Sequence, residues 1–566
     1  MNAPTPREAD LVVVGTGIAG LTAAVTGAAR GLSVLVLEKS EQIGGTSALS
    51  GGAVWVPNNH HMPEVGRQDS FEQAMTYLDR TVGNLVSREL KTAFLTRGPE
   101  AVRFVEANSR LRLSARRDCP DYLSDREGAS LGGRIMDPPE FDGRELGERF
   151  RDLRSPRPEF GLFGKMMVNR ADIEHLLNAR SSPRSAIHAA RLLIRYASDR
   201  LRYPRGTRLL LGNALIAALY KSVLEKGIPV LRNSPVRRLL HEGGRVVGVE
   251  FEAAGQRVAT RARRGVVLAT GGFPNSPELR RELIPMAPEP HSAAAETGTG
   301  DGIRLARSVG AKVQDTNSNP AFWSPVSLGR RSDGSVAKFP HLMFDRQKPG
   351  LIAVNRAGVR FTNEAESYHE FVKAMLDTRG GVPCSPAYLI CDHRFVTTYT
   401  FGLVRPTAAS RRAALRSGYL RRGDTIEQLA GSIGLEPEIL SATVARYNDG
   451  ARSGEDPEFG RGKTAYHRYL GDAGHLPNPC VAPIETGPFY AIEVVPGDIG
   501  TATGLATDAN ARVLDESGQP IPGLYACGND MNSVMGGEYP GPGITLGPNL
   551  TFGYVAATHA AEAAAA

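Results

Sequence analysis

Gly15, Gly17 and Gly20 stand in a G-x-G-x-x-G spacing, and an acid, Glu38, follows eighteen residues after the last of them. Glycines so placed let a backbone turn tightly, approach a pyrophosphate closely and pack a helix against a strand, while an acid at that distance accepts hydrogen bonds from a ribose. The chemistry served is dinucleotide binding, with a helix N-terminus offering free N–H groups and its positive dipole end to the phosphates. A second glycine-rich stretch that also carries hydroxyls, Gly44-Gly45-Thr46-Ser47-Ala48-Leu49-Ser50-Gly51-Gly52, follows almost at once. A nicotinamide site has no evident need of it. An isoalloxazine ring lying against backbone, with hydroxyls near its phosphates, does, and FAD is the expected cofactor.

These residues need a strand before the turn and a helix after it. The apolar run Leu11-Val12-Val13-Val14 supplies the first strand, and Val34-Leu35-Val36-Leu37 a second that ends at Glu38. The first β-α-β unit therefore runs to about residue 40. A charged, helical region covers roughly 68–110, followed by a Pro/Gly/Asp-rich excursion from 119 to about 150. Strand-like sequence returns at 228–232 and 246–251, and 265–273 reads as a buried strand ending in a glycine turn at Gly271. In a doubly wound sheet that turn falls at the strand carboxyl ends, where ligands bind. Residues 329–493 have another character, with more aromatic residues and shorter elements. The dinucleotide pattern resumes at Gly523-Leu-Tyr-Ala-Cys-Gly528-Asn529 and at 540–547, which leads into a last helix.

The expected fold class is α/β. A discontinuous, Rossmann-like FAD-binding domain (1–328 and 494–566) receives an inserted α+β substrate domain (329–493), and the substrate sits in the cleft between them. No second glycine motif with strand, helix and acid occurs. Electrons are thus expected to enter from an organic substrate and leave to a separate acceptor.

The remaining composition sets limits. The 566 residues suffice for more than one domain, with 41% hydrophobic and 22% charged residues. No signal-peptide pattern and no run of about eighteen apolar residues occurs. The five cysteines, Cys119, Cys384, Cys391, Cys480 and Cys527, are scattered without C-x-x-C spacing, which speaks against zinc or disulfides and fits a reducing cytoplasm. Between Arg180 and Arg208 eight arginines face one acid, Asp199, in a helical stretch with interspersed apolar residues. This reads either as a solvated basic helix or as a peripheral contact with the inner face of the membrane that gathers an apolar substrate. No nucleic-acid module accompanies the charge of +7. The pair His60-His61 has no carboxylate at metal spacing and is expected to be a loop surface; no metal is expected.

The chain resembles the FAD-dependent 3-ketosteroid dehydrogenases, a branch of the fumarate-reductase-like flavoproteins, almost end to end. The resemblance is carried by Ser50-Gly-Gly-Ala-Val-Trp55-Val-Pro-Asn-Asn59, Pro120-Asp121-Tyr122, Arg360-Phe-Thr-Asn-Glu364-Ala-Glu-Ser-Tyr368, Val495-Pro-Gly-Asp498-Ile-Gly500 and Tyr539-Pro-Gly-Pro-Gly543. It implies α,β-desaturation of a small apolar cyclic ketone: a base takes a proton beside the carbonyl and a hydride leaves the adjacent carbon for flavin N5. Tyr539 and the N–H of Gly543 match the donors to the carbonyl oxygen, where charge develops. Tyr368 matches the base and Tyr122 its support. The flavin is expected at Gly15, Gly17, Gly20, Glu38, Thr46, Ser47, Gly51, Gly52, Gly271, Gly528, Asn529, Thr545 and Leu546, with Asp301 of Thr299-Gly-Asp-Gly302 close by. Asp498 is expected to order backbone. A quinone or a dye is the expected electron acceptor. The first substrate expectation is a 3-ketosteroid, desaturated at C1–C2. Departures at Cys119, Leu123, 365–367 and 544–546 keep open C4–C5 desaturation or a small alicyclic ketone such as cyclohexanone. Fumarate-type reduction is the remote alternative, because its arginine acid and carboxylate clamps are missing from the Tyr-Pro-Gly-Pro-Gly element.

Overall fold

The computed structural model describes residues 7–563 except 180, 332 and 378–380. It is a mixed α/β structure built on two main sheets. The first has eight strands, in the order Val230–Leu231, Val34–Leu37, Glu8–Val14, Gln256–Leu268, Arg245–Ala253, Val236–Glu242, with Pro520–Ala526 also paired to Gln256–Leu268 and carrying Arg512–Leu514. Leu11–Val14, Val34–Leu37 and Val266–Leu268 are buried throughout, as parallel strands covered on both faces must be. Gln256–Leu268 does two jobs. Its first half is antiparallel to Arg245–Ala253, and its second half lies parallel between Glu8–Val14 and Pro520–Ala526.

Helix Ile18–Ala29 leaves Glu8–Val14 through the glycine turn and is buried from Ile18 to Gly27. It packs against the last helix, Leu546–Glu562. Both close approaches depend on missing side chains. A Cβ on Gly20 would lie 2.2 Å from the Gly15 carbonyl oxygen, and one on Gly553 would lie 2.4 Å from that of Ala19.

The second sheet has six strands, all antiparallel: Val336–Pro340, Ala321–Arg330, Phe489–Thr501, Ala387–Cys391 and Leu351–Val354 in order, with Arg421–Gly423 also on Phe489–Thr501. It spans residues 321–501 and is wider at both ends than the 329–493 region of altered composition. Pro496-Gly497-Asp498 has turn composition, yet it continues the long strand, with Pro496 opposite Pro325 and Asp498 opposite Trp323. A separate apolar cluster beneath this sheet, including Leu429, Leu440 and Ile484, is sealed by helices Ile426–Ile433 and Pro437–Ala451.

The five cysteines are free and buried, and among the described residues no helix is long and apolar enough to cross a membrane. Helix Pro183–Arg200 carries part of the arginine run, of which Arg180 lies outside the described residues. The run is less free than its composition suggests. Arg195 and Arg208 share Glu140, Arg208 also pairs with Asp172, and Arg205 is buried over the Phe150 ring. Arg184, Arg191, Arg200 and Arg202 are exposed.

Candidate active site

The cradle begins at the N-terminus of helix Ile18–Ala29. Gly17 caps it without a side-chain bond, and its first turn holds no acid, so its N–H groups beyond Ile18 remain available to an anion. The Ile18 N–H donates to Ser47 Oγ at 3.1 Å, which draws the second glycine loop onto this helix end. The Thr46 hydroxyl accepts the Ala295 N–H at 3.0 Å. Glu38, at the end of its strand, accepts bonds from Thr16 Oγ1 (2.5 Å) and the Ser40 N–H (2.9 Å). A Cβ on Gly51 or Gly271 would meet nothing within 4 Å, whereas one on Gly52 would strike Leu211 and Gly212. Gly51 and Gly271 therefore face open space, and Gly52 serves loop packing. Asp301 meets Lys39 Nζ at 2.7 Å beside Glu38.

At the other end, Gly528, Asn529 and Thr545 line one cavity with Thr501, Pro548 and Phe322. Helix Leu546–Glu562 starts there, without a side-chain cap or an acid in its first turn. Thr501 Oγ1 is buried without a partner. The Leu546 N–H at a second helix N-terminus, unclaimed among the described residues, open glycines and an orphaned hydroxyl suit a planar, hydrogen-bonding ring system with a diphosphate tail. The residues present fit FAD: Gly15, Gly17 and Ser47 would hold its phosphate end, and Asn529, Thr545 and Leu546 its ring end.

Beside that cavity stand four tyrosines. Tyr368 opens helix Tyr368–Leu376, capped by Ser367. Its ring is 5.1 Å from that of Tyr539 and 5.6 Å from that of Tyr122, edge-on to both. The Tyr368 hydroxyl interacts with both neighbouring hydroxyls, and Tyr539 also with Thr545. Burial pushes Tyr368 and Tyr122 well above the usual phenol range and Tyr539 up to about 12. Gly543 adopts φ +95°, and a Cβ there would lie 2.5 Å from the Ala53 carbonyl oxygen. Its carbonyl accepts the N–H groups of Trp55 and Gly547, while among the described residues no acceptor takes its own N–H.

Sequence reasoning missed the fourth tyrosine. The Tyr466 ring lies 4.6 Å from that of Tyr122, tilted by 46°, and its hydroxyl is buried without a partner. Behind it lies Arg346, fully buried and held through its side chain by the carbonyls of His341, Glu364 and Glu366. Its Nη2 has no partner, and the phenols of Tyr466 and Tyr122 are among the groups that feel its charge. Tyr466 follows a glycine-rich loop with no helical or strand spacing to mark it.

Two further groups of donors converge. Among the described residues, His60, His61 and Glu106 bring ligand atoms within 4.8 Å, as do His369, Glu370 and Glu538. In the first, His61 lies between Glu64 and Glu106, at 3.0 Å from each, and those carboxylates raise its pKa. The pair is thus part-buried, where an exposed loop was expected; burial and the neighbouring His61 lower the pKa of His60, whose Nδ1 has no partner among the described residues. In the second, the Lys373 ammonium already sits between the two carboxylates. Asp498 is buried on Arg280 (2.6 Å) and Ser292 (2.6 Å) and orders the segment that leads to Ala295 and Thr46.

Tyr122 is anchored from behind. Arg134, fully buried, binds Asp69 and Asp121 at 2.8 Å each, and Asp121 also accepts the Trp55 indole N–H at 2.8 Å.

A model for FAD-binding domains matches residues 10–546. The chain is 38% identical over 561 residues to the 4-oxocyclohex-2-ene-1-carboxylate 5-dehydrogenase of Sinomonas cyclohexanicum, covering 98% of this chain and 94% of that protein. It is also 38% identical to the 3-oxosteroid 1-dehydrogenase of Mycobacterium tuberculosis H37Rv, covering 99% of both. The crystal structure of 3-ketosteroid delta1-dehydrogenase from Sterolibacterium denitrificans in complex with 1,4-androstadiene-3,17-dione superposes with a TM-score of 0.90 at 40% identity, over 98% of this chain and all of that one.

Replacing Arg134 by Met leaves two facing buried carboxylates and is expected to destabilise the fold by roughly 3–5 kcal/mol. Burial already raises the pKa of Asp121, and loss of the Arg134 charge raises it further above its unfolded value, so stability is kept at low pH and lost as pH rises. Thermal unfolding of the variant at pH 5 and pH 8 checks this, the larger deficit being expected at pH 8.

Proposed function

The chain belongs to the FAD-binding-domain family of flavoproteins, and from that premise we propose that it dehydrogenates a 3-ketosteroid between C1 and C2. The observation that carries this reading is the meeting of Tyr368, Tyr539 and the unclaimed Gly543 N–H beside the cavity lined by Asn529 and Thr545. Bound FAD supplies the acceptor for the hydride. Tyr539 and the Gly543 N–H donate to the ketone oxygen and hold the negative charge that grows there when the neighbouring C–H loses its proton. The Tyr368 oxygen takes that proton. Because burial disfavours its phenolate, Tyr368 acts as a base only after the Tyr368–Tyr122 pair has released one proton to solvent: the proton that remains is shared between the two, and their single negative charge is favoured by the buried Arg346. Glu38 and the helix end at Ile18 hold the adenosine and diphosphate.

The two-sheet arrangement supports the discontinuous domain reading, with the eight-stranded sheet as the cofactor domain and the six-stranded sheet as the inserted substrate domain. A quinone or dye takes the electrons onward.

A second reading keeps every role and changes the ketone to an alicyclic keto acid, which the 4-oxocyclohex-2-ene-1-carboxylate relative favours. Anaerobic mixing of holoenzyme with androst-4-ene-3,17-dione or with 4-oxocyclohexanecarboxylate separates the two. The expected outcome is loss of flavin absorbance with the steroid and a new C1–C2 double bond; bleaching by the keto acid alone transfers the enzyme to the smaller class. Tyr368→Phe and Tyr539→Phe are each expected to cut turnover by about 10²–10³-fold at unchanged flavin content. Normal turnover removes the role from the residue concerned.

Peripheral membrane contact is proposed for 181–208. Ile187, Leu193, Ile194 and Leu201 are exposed there beside Arg184, Arg191 and Arg202. Sedimentation with anionic vesicles is expected, weakening with salt; equal pelleting without vesicles or with neutral ones alone speaks for a solvated helix.

A further inference from the structure

The two tyrosines that would hold the reacting ketone sit on separate pieces of chain, and each has a charged group close by in sequence. Tyr368 opens the helix Tyr368–Leu376, whose Glu370 and Lys373 form an i,i+3 pair at 3.0 Å. Tyr539 is preceded by Glu538, and the Lys373 ammonium reaches that carboxylate at 3.0 Å as well. The other Glu538 oxygen accepts from Ser318 Oγ (2.6 Å) and Asn319 Nδ2 (3.4 Å). Backbone packs as tightly as the side chains: Gly536 accepts the Ser318 N–H at 2.9 Å, and a Cβ on Gly537 would lie 2.2 Å from the Asn319 carbonyl oxygen. Segment 536–539 is thus fixed on one side by residues 318–319 and on the other, among the charged groups of the described residues, by Lys373.

His369 completes the junction without competing for charge. Its Nδ1 accepts the Trp323 N–H at 3.2 Å, which requires the Nε2–H tautomer, and burial keeps the ring neutral. Its Nε2 is turned toward Gly537 without reaching hydrogen-bond geometry. The ring lies 5.8 Å from that of Tyr539. The charged groups of this junction are therefore Glu370, Glu538 and Lys373, with Glu366 near Glu370 and itself paired to His467.

We propose that Lys373 is a positioning residue for the carbonyl-polarising Tyr539: its ammonium, clamped between Glu370 and Glu538, sets the spacing between the helix that carries Tyr368 and the segment that carries Tyr539. The proposal rests on the reading of Tyr368 as base and Tyr539 as donor. Removing the ammonium leaves two part-buried carboxylates facing each other, and their repulsion moves Glu538, and with it Tyr539, away from the helix. A donor displaced by about 1 Å costs on the order of 10²-fold in rate. A proton shared by the two carboxylates restores the attraction.

The test compares holoenzyme variants Lys373→Met, Lys373→Arg, Lys373→Met/Glu370→Gln, Tyr539→Phe and Lys373→Met/Tyr539→Phe, with kcat, KM, flavin content and pH profiles from pH 5 to 8. Lys373→Met is expected to lose about 10–10²-fold in kcat at pH 8 with full flavin. Its kcat relative to wild type should climb as pH falls toward 5, while Lys373→Arg and the double variant with Glu370→Gln recover most of the rate. Lys373→Met should add little to the loss already caused by Tyr539→Phe. A Lys373→Met enzyme with near-normal kcat overturns the proposal. So does a deficit that ignores pH and Glu370→Gln, or one that multiplies with the Tyr539→Phe loss. Normal turnover of Tyr539→Phe instead brings down the donor assignment, and the proposal with it.

Discussion

The structure turns on a stretch where backbone lies directly on backbone. Residues 53–55 run against 540–547: the Trp55 N–H donates to Gly543, and a Cβ on Gly547 would lie 1.9 Å from the Trp55 carbonyl oxygen. From the same few residues the Trp55 indole reaches Asp121, and the Pro540 carbonyl accepts both the Tyr122 N–H (2.9 Å) and the Tyr77 hydroxyl (2.6 Å). The glycine-rich loop that leads into Trp55, the Tyr122 segment and the segment of Tyr539 and Gly543 are thereby one rigid unit. Glycine at 541, 543 and 547 is the condition for it, because any side chain there separates the strands of contact.

Charge is buried around this unit in closed sets rather than spread. Arg134 with Asp69 and Asp121, Arg280 with Asp498, and Arg360 with Glu364 and Asp456 each place a guanidinium on carboxylates deep in the fold. Such pairs add little net stability compared with apolar packing, but breaking one is costly, so they hold loops to a single arrangement. Arg346 departs from this pattern. Carbonyl oxygens and the Phe371 ring hold its side chain, and its charge is felt by the phenols of Tyr466 and Tyr122 as well as by Asp345.

The legible parts of the chain were those where local spacing and tertiary role coincide. The Gly15–Gly20 turn, the apolar runs before and after it and the strand at 265–268 are read directly, because a parallel strand buried on both faces needs continuous apolar residues. Tyr122, Tyr368 and Tyr539 came from a resemblance, since nothing in the spacing of three distant tyrosines tells that their rings meet. Pro496-Gly497-Asp498 gives no local sign of its strand, because turn-type residues stand inside it. His60 and His61 looked partnerless although Glu64, three residues after His61, was within local reach; Glu106 reaches them only through the folded helix Arg88–Asn108. Tyr466, Arg346 and Lys373 carried no local signal at all.

The strand Gln256–Leu268 has one consequence for biogenesis. On its two sides lie Glu8–Val14 and Pro520–Ala526, the latter more than two hundred and fifty residues downstream. As the chain leaves the ribosome, the central sheet keeps an unsatisfied edge until residues 520–526 have been made, and the ring end of the cradle waits for 528–546. Cofactor loading is then a late event, and a long-lived nascent chain with an open apolar edge is the form most in need of a chaperone.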